Sequence, residues 1–395
     1  MLSIKAKGIS SSPTLTIDSK YKEMKANGED VVGFGCGEPD FDTPQHIKDA
    51  AIAAINKGMT KYTPAAGTLE LRKAVAKKFK DENGLDYAPG DIVVSNGAKH
   101  SLVNAFMAIL NPGDEVIIPA PFWVSYPEMV KLADGVPVIA NATEDQNFKV
   151  TVSDLQKALT PKTKAIIINS PSNPTGMVYT REELKDIADF AVSNNLFVVS
   201  DEIYEHLIYE GEHVSIASFN EEIKKRTIVI NGVSKTYAMT GWRIGYAAAA
   251  PEIAKIMANV QSHASSNPNS IAQAAAVAAL TGPTDEIERM RRHFLKRRNY
   301  MVEAINEING VSCINPHGAF YIMMSIKELI GKTLYGEVIN NADDFANLFL
   351  EKEKVALVPG TGFGAPEYVR WSYATSMDTI VEGIQRLRNF LENKD

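Results

Sequence analysis

Lys235 stands just past an apolar run, Thr227 to Ile230, in a stretch otherwise short of charge, and Arg243 follows eight residues on. A lysine so placed loses part of its solvation and lowers its pKa, which lets the amine act as a nucleophile toward a carbonyl. Arginine adds a permanent charge with forked donors suited to a phosphate. The two together point to a carbonyl compound that also carries a phosphate. Two more polar residues follow apolar runs. Asn173 lies in Ser170-Pro171-Ser172-Asn173-Pro174-Thr175-Gly176, after Ala165 to Asn169, and Asp201 follows Leu196 to Ser200. Taken singly, each has an ordinary structural use: Asp201 alone would equally suit a helix or turn cap.

The elements that must position these residues are short, continuous apolar runs of the kind expected of parallel strands buried on both faces. Between the runs at 165–169 and 196–200, Arg181 to Asn194 has helical spacing, with Leu184, Ile187, Ala188 and Ala191 as its apolar stripe. Asn173, Asp201 and Lys235 are then 28 and 34 residues apart, a normal repeat for βαβ units. The carboxyl ends of strands in an open parallel sheet form a ligand crevice, so the three converge on one edge.

A second strand–turn–helix unit begins at Asp91. The run to Ser95 reads as a strand, Asn96-Gly97 as a tight turn, and Ala98 to Leu110 as a helix stopped by Asn111-Pro112-Gly113. A glycine turn entering a helix leaves free N–H groups at a positive dipole end, a site for an anion. Gly97 and Ala98 are therefore candidates for the phosphate, with Arg243.

Nine segments, in order along the chain, carry a family resemblance: GEPDFDTP (37–44), KYTPAAG (61–67), PFWVSYPEM (121–129), SPSNPTG (170–176), SDEIYEHLIYEGEH (200–213), SKTYAMTGWRIGY (234–246), PHGAFY (316–321), VALVPGTGFG (355–364) and VRWSYATS (369–376). The chain resembles class I/II aminotransferases of fold type I, in particular the bacterial aspartate aminotransferase subgroup, over essentially its whole length. The resemblance implies an α/β protein with a mostly parallel seven-stranded sheet flanked by helices, plus a small α/β domain. It implies pyridoxal 5'-phosphate (PLP) as cofactor, held covalently by Lys235. Asp201 would pair with the ring nitrogen and keep it protonated, making the ring a better electron sink. Tyr204 and Asn173 match the pair that hydrogen-bonds the phenolic oxygen, and Trp123 the aromatic stacked on the ring. Tyr62 matches a tyrosine that reaches the phosphate from a neighbouring subunit, which implies a homodimer with shared active sites. Relatives often have Ser or Thr three residues before the lysine; here the residue is Gly232, so that phosphate contact is not carried over.

For the substrate, Arg370 matches the arginine that holds the α-carboxylate bidentately, and Gly37 lies in a glycine-rich segment whose backbone can approach closely. Trp123 and Asn173 also border this place. Once displaced by substrate, Lys235 would carry a proton from Cα as acid–base catalyst, and a 2-oxo acid would run the path in reverse, a ping-pong scheme. Lys99 matches a lysine that faces the distal carboxylate of a dicarboxylic substrate, favouring L-aspartate with 2-oxoglutarate as acceptor. Relatives that also use prephenate carry a lysine where this chain has Ser12, ahead of Pro13-Thr14-Leu15-Thr16, and Thr16 is expected near the substrate. Other readings of the same residue set are an aromatic- or alanine-type aminotransferase, a PLP β-lyase, and an aminotransferase-like regulatory sensor, whose basic winged helix has no counterpart here.

Composition agrees with a soluble enzyme. The 395 residues are 45% hydrophobic and 23% charged, with a net charge of −7 that argues against nucleic-acid or membrane-surface partners. Cys36 and Cys313 have no metal-ligand spacing, so no metal is expected, and the start of the chain has no signal-like apolar core; a cytoplasmic location is the expectation. Residues 285–308 form an amphipathic helical pattern, with Ile287, Met290, Phe294, Met301, Ile305 and Ile308 near helical spacing. It is expected to join a large cofactor-binding domain (45–285) to a small domain made of 1–44 and 286–395, with strands at Ala319–Met324, Val355–Val358 and Tyr368–Tyr373.

Overall fold

The aliphatic runs form the middle of a seven-stranded sheet. In the computed structural model, which describes residues 2–11 and 13–392, its strands are β1 (Ile92–Ser95), β2 (Glu115–Ala120), β3 (Val136–Asn141), β4 (Thr163–Asn169), β5 (Phe197–Asp201), β6 (Thr227–Gly232) and β7 (Gly245–Ala248). Their spatial order is β1-β7-β6-β5-β4-β2-β3, and only β7 runs against the others. Both faces of the sheet are covered. Ile167 and Val199 pack with Leu102 and Phe106 on one side, whereas Ile166, Ile168 and Val198 meet Leu184, Ile187, Ala188 and Ala191 on the other. That two-sided burial explains why these strands read as unbroken apolar runs.

Local signals place the flanking helices. Thr180 and Glu183 form a reciprocal capping box at the start of Arg181–Ser193. The helix after β1 runs Ala98–Ile109 and begins at Gly97, whose φ of 84° suits a residue without a Cβ. A three-stranded antiparallel sheet is built from β8 (Tyr321–Ser325), β9 (Val358–Pro359) and β10 (Tyr368–Ser372), with β10 in the centre. The run from 355 is two short strands, because Val355–Ala356 leaves to pair with Val32–Gly33.

The long helix spans Asp285–Asn306. Ile287 belongs to the core around Val94 and Val229, while Met290, Phe294, Met301 and Ile305 pack with Tyr321 and Ile322. One helix thus joins the cores of the two sheets. No helix among the described residues is long and apolar enough to cross a membrane.

Candidate active site

Register aligns the strand ends. Asn169 stands opposite Asp201 on β4 and β5, and Asp201 opposite Ile230 on β6. Beyond this edge lies a cavity of about 280 Å³. Gly37, Ala98, Lys99, Trp123, Asn173, Asp201, Tyr204, Lys235, Arg243 and Arg370 all line it. Gly97 lies just behind, as the residue before the helix. Tyr62 is 91% exposed and does not reach the cavity of its own chain.

Lys235 is half-buried as a residue, but its amine is shielded and donates to the Gly37 carbonyl. Burial, reinforced by Arg243 and Arg370 and opposed by Cys36 and Glu38, lowers its pKa to about 8. The sequence-based expectation of a partly desolvated amine matches this geometry. Gly37 needs its missing side chain: a Cβ would come within 2.8 Å of the Tyr321 hydroxyl.

Asp201 is buried, which pushes its carboxyl up to about 6, against the hydrogen bonds from Tyr126 and Ile203. The Tyr126 hydroxyl donates to Oδ2 at 2.7 Å and the Ile203 N–H to Oδ1 at 3.3 Å. No arginine or lysine forms an ion pair with it among the described residues. A buried carboxylate without a cation is what a protonated ring nitrogen would complement.

At the other end of the cavity, Arg243 has a left-handed φ of 57° and donates to the Thr240 carbonyl at 2.8 Å and the Asn96 carbonyl at 3.4 Å. Its guanidinium lies against Gly97, where a Cβ would be 2.3 Å from Nη2. The cation and the first N–H groups of the Ala98 helix, which lack intrahelical acceptors, sit side by side as an anion cradle. Gly232 also has a packing reason: a Cβ there would lie 2.9 Å from Gly245 Cα and 3.0 Å from the Ile244 carbonyl, leaving no room for a hydroxyl-bearing side chain. Ser234, not position 232, lines the cavity.

Arg370 is the central residue of β10, 1% exposed. Nη1 donates to Asn173 Oδ1 at 2.9 Å and Nη2 to the Gly35 carbonyl at 2.8 Å, while Nε has no partner among the described residues. Tyr321 and Phe363 lie beneath the guanidinium, with ring centres 4.5 and 5.0 Å from it. A buried cation with an unpaired donor at a cavity suits a carboxylate. Lys99 is exposed by area, yet its amine hangs 4.8 Å over the Trp123 ring. Shielding there and the charge of Arg243 lower its pKa.

The structure adds residues that sequence reasoning passed over. Tyr126 and Tyr321 line the cavity, the latter sharing a 2.8 Å hydrogen bond with the Tyr204 hydroxyl. Asn169 also lines it; its Oδ1 accepts from the Asn173 N–H at 2.8 Å and its Nδ2 donates to the Asp201 carbonyl at 2.9 Å, tying two strand ends together. The placement of Thr16 needs correction. Residues Pro13–Ala26 form a helix, and it is Thr14 that lines the cavity. Positions two apart on a helix lie on nearly opposite faces, so Thr16 does not line it. Ser12, on which the prephenate argument turned, lies outside the described residues.

With a desolvated amine and a buried carboxylate on one edge of a seven-stranded α/β sheet, and an anion cradle beside them, the site suits a PLP-dependent enzyme. Comparison with known proteins narrows this: the chain belongs to the aminotransferase class I and II family, whose model matches residues 29–387. It is 53% identical to an aspartate aminotransferase from Bacillus sp. (strain YM-2) over 393 residues, 99% of each chain. Among solved structures, the aspartate aminotransferase of Rhizobium meliloti superposes with a TM-score of 0.97 at 42% identity, covering 100% of both chains. That of Thermus thermophilus, determined with maleate, gives 0.93 at 42% identity, covering 99% of this chain and 100% of the other. PLP is the cofactor of this family, and the residues described above fit it.

Proposed function

We propose that this aminotransferase moves the amino group between L-aspartate and 2-oxoglutarate by a ping-pong mechanism. The observation that carries the choice of substrate is Lys99. Its amine is partly desolvated at the cavity beside Trp123, and it forms no ion pair among the described residues. With Arg370 it offers two cations, matched to a substrate with two carboxylates. The dicarboxylate maleate named with the Thermus thermophilus structure is in keeping with this.

The cofactor, when bound, supplies an electron sink for the bonds at the substrate Cα. Everything else falls to side chains of this chain. Lys235 would hold the cofactor, with Arg243, Gly97 and Ala98 suited to its phosphate, Asp201 to its ring nitrogen, Tyr204 and Asn173 to its phenolic oxygen and Trp123 to its ring. Arg370 binds the α-carboxylate, while Gly37 lets the backbone close on the substrate. That carboxylate, fixed at one point, selects which Cα bond lies in line for cleavage. Lys235 Nζ takes the Cα proton, and a pKa near 8 leaves a useful fraction of the amine unprotonated at neutral pH.

The same reading divides the chain into 45–285 and 1–44 with 286–395. Arg370 is carried by the three-stranded sheet and Lys235 by the loop after β6, so closure of one part on the other would complete the site. It also makes the enzyme a homodimer. Tyr62 projects into solvent, and an open cleft of about 850 Å³ beside Arg243 and Trp242 is where a second copy would deliver it.

The deciding experiment is an amino-donor panel with 2-oxoglutarate as acceptor. Aspartate turns over fastest; preference for alanine or an aromatic donor, or release of pyruvate and a thiol from a cysteine conjugate, overturns the assignment. Lys235→Ala abolishes transamination and the cofactor's lysine-bound absorbance band, and retained turnover in that variant sinks the catalytic role.

A further inference from the structure

Behind the cavity lies a group of buried charges that none of these steps uses. Glu205 directly follows Tyr204 and is itself buried. Its Oε1 accepts from Lys78 Nζ, in a close ion pair, and from Asn231 Nδ2 at 2.7 Å. Its Oε2 accepts from Asn83 Nδ2 at 2.9 Å. Lys78 is buried too, and donates to Asn83 Oδ1 at 2.8 Å. Next to this pair, Glu202 accepts from the Ser200 and Ser215 hydroxyls and pairs with His213 Nε2 at 2.9 Å. Burial alone would push the Glu205 carboxyl up, but Lys78 and the two neighbouring histidines outweigh it and hold it well below the usual carboxylate range. Glu205 is therefore charged throughout the working pH range.

The donor atoms of Glu202, Glu205 and His213 lie within 4.8 Å of one another, but the Lys78 ammonium on Glu205 and His213 on Glu202, whose pKa the carboxylates raise against its burial, already answer both charges, so a metal is not needed. Stability is a poor reason for the pair as well. Desolvating two charges costs about as much as their attraction returns, and apolar side chains of similar size often serve equally well. Direction is what Glu205 supplies. It binds the C-terminal half of the Leu69–Asn83 helix through Lys78 and Asn83, and the end of β6 through Asn231. One side of that junction carries Asp201 and Tyr204; the other leads within four residues to Lys235. A second tie runs parallel, between Thr236 Oγ1 and His206 Nδ1 at 3.3 Å.

We propose that Glu205, through Lys78 and Asn231, is a positioning residue that sets the Asp201–Tyr204 turn against the Lys235 loop. The inference rests on the reading of Lys235 and Tyr204 as cofactor-holding residues.

The test uses the holoenzyme and a double variant, Lys78→Met with Glu205→Leu, which removes both charges at similar length. Wild type must show the absorbance band of cofactor-bound Lys235; its absence overturns the cofactor reading, and this inference with it. With the band present, the double variant keeps its melting temperature within about 3 °C of wild type. Its band nevertheless titrates with a midpoint moved by at least about half a pH unit, and kcat falls on the order of tenfold while KM changes less. An unchanged midpoint and kcat overturn the positioning role and leave the cofactor reading intact. Where the double variant folds poorly, Glu205→Gln, which preserves size and removes the charge, is read by the same midpoint and kcat.

Discussion

The Tyr126 hydroxyl donates to Asp201 Oδ2 at 2.7 Å, so the carboxylate assigned to the cofactor ring is held by a residue 75 positions earlier in the chain. A buried carboxyl with no partner protonates well above its ordinary range, and burial alone drives Asp201 that way. A donor aimed at the charged form opposes the rise.

Tyr126→Phe removes only that donor. In the apoenzyme, Asp201 is protonated below about 6 and ionised above it; losing the hydrogen bond moves the midpoint up by about one pH unit. The variant therefore holds a neutral carboxyl over a wider acid range and loses its grip on a protonated ring nitrogen first as pH falls. The carboxyl-carbon resonance of Asp201 in ¹³C-aspartate-labelled apoenzyme, assigned by its loss in Asp201→Asn, reads the midpoint directly. A midpoint that stays put or falls means Tyr126 does not tune this group.

The cradle near Arg243 depends on backbone contact. A Cβ on Gly245 would lie 2.1 Å from the Ala98 nitrogen and 2.4 Å from the Gly97 carbonyl carbon. Backbone on both sides leaves little room to relax, so Gly245→Ala costs about 1–3 kcal/mol of stability and pushes the Gly97–Ala98 turn outward. Thermal melting and equilibrium PLP binding check this: both fall together. A normal melting temperature with normal PLP affinity would show that the turn tolerates displacement.

Arg370 is predicted to act on substrate and not on cofactor. Arg370→Lys keeps the charge but loses the fork that reaches Asn173 and Gly35 at 2.9 and 2.8 Å. KM for the amino acid and for the oxo acid rises about tenfold to hundredfold, the worth of a charge-assisted hydrogen bond. PLP affinity falls by less than KM rises, because among the described residues Arg370 meets the cofactor-holding ones only through Asn173. A parallel loss of PLP affinity would move Arg370 to the cofactor.

Much of this site was legible because parallel strands buried on both faces leave an unmistakable trace. The runs ending at Asn169, Ser200 and Ile230 mark where the chain emerges at the sheet edge, and residues just past them had to meet. The direction of β7 was not legible, since nothing in Gly-Tyr-Ala-Ala says which strands it joins or which way it runs beside them. Tyr126 and Tyr321 were missed for a different reason. An aromatic within an apolar segment looks like core, and both are core by burial; only their hydroxyl partners, far away in sequence, give them a role. Gly232 read as a lost contact, yet its cause is the approach of Gly245, a pairing that only the fold brings about. The Thr14 and Thr16 exchange has the same origin: a helix turns two threonines spaced two residues apart to nearly opposite sides.

Lys99 leaves the sharpest question for experiment, because the dicarboxylate reading proposed above rests on it. Its amine sits over Trp123 at 4.8 Å with a lowered pKa, owed first to burial and then to the charge of Arg243. A lowered lysine pKa means that the protonated form is less favoured than in water, and a substrate carboxylate would restore it. Lys99→Ala removes that partner without touching Arg370 or Lys235. The ratio of kcat/KM for aspartate to that for alanine drops about tenfold to hundredfold, since only aspartate has a distal carboxylate to lose. Maleate, as a substrate-like dicarboxylate, loses inhibition in proportion, whereas a monocarboxylate inhibitor is unaffected. If the aspartate-to-alanine ratio is unchanged, Lys99 does not read the distal carboxylate, and the preference must be set elsewhere in the cavity wall.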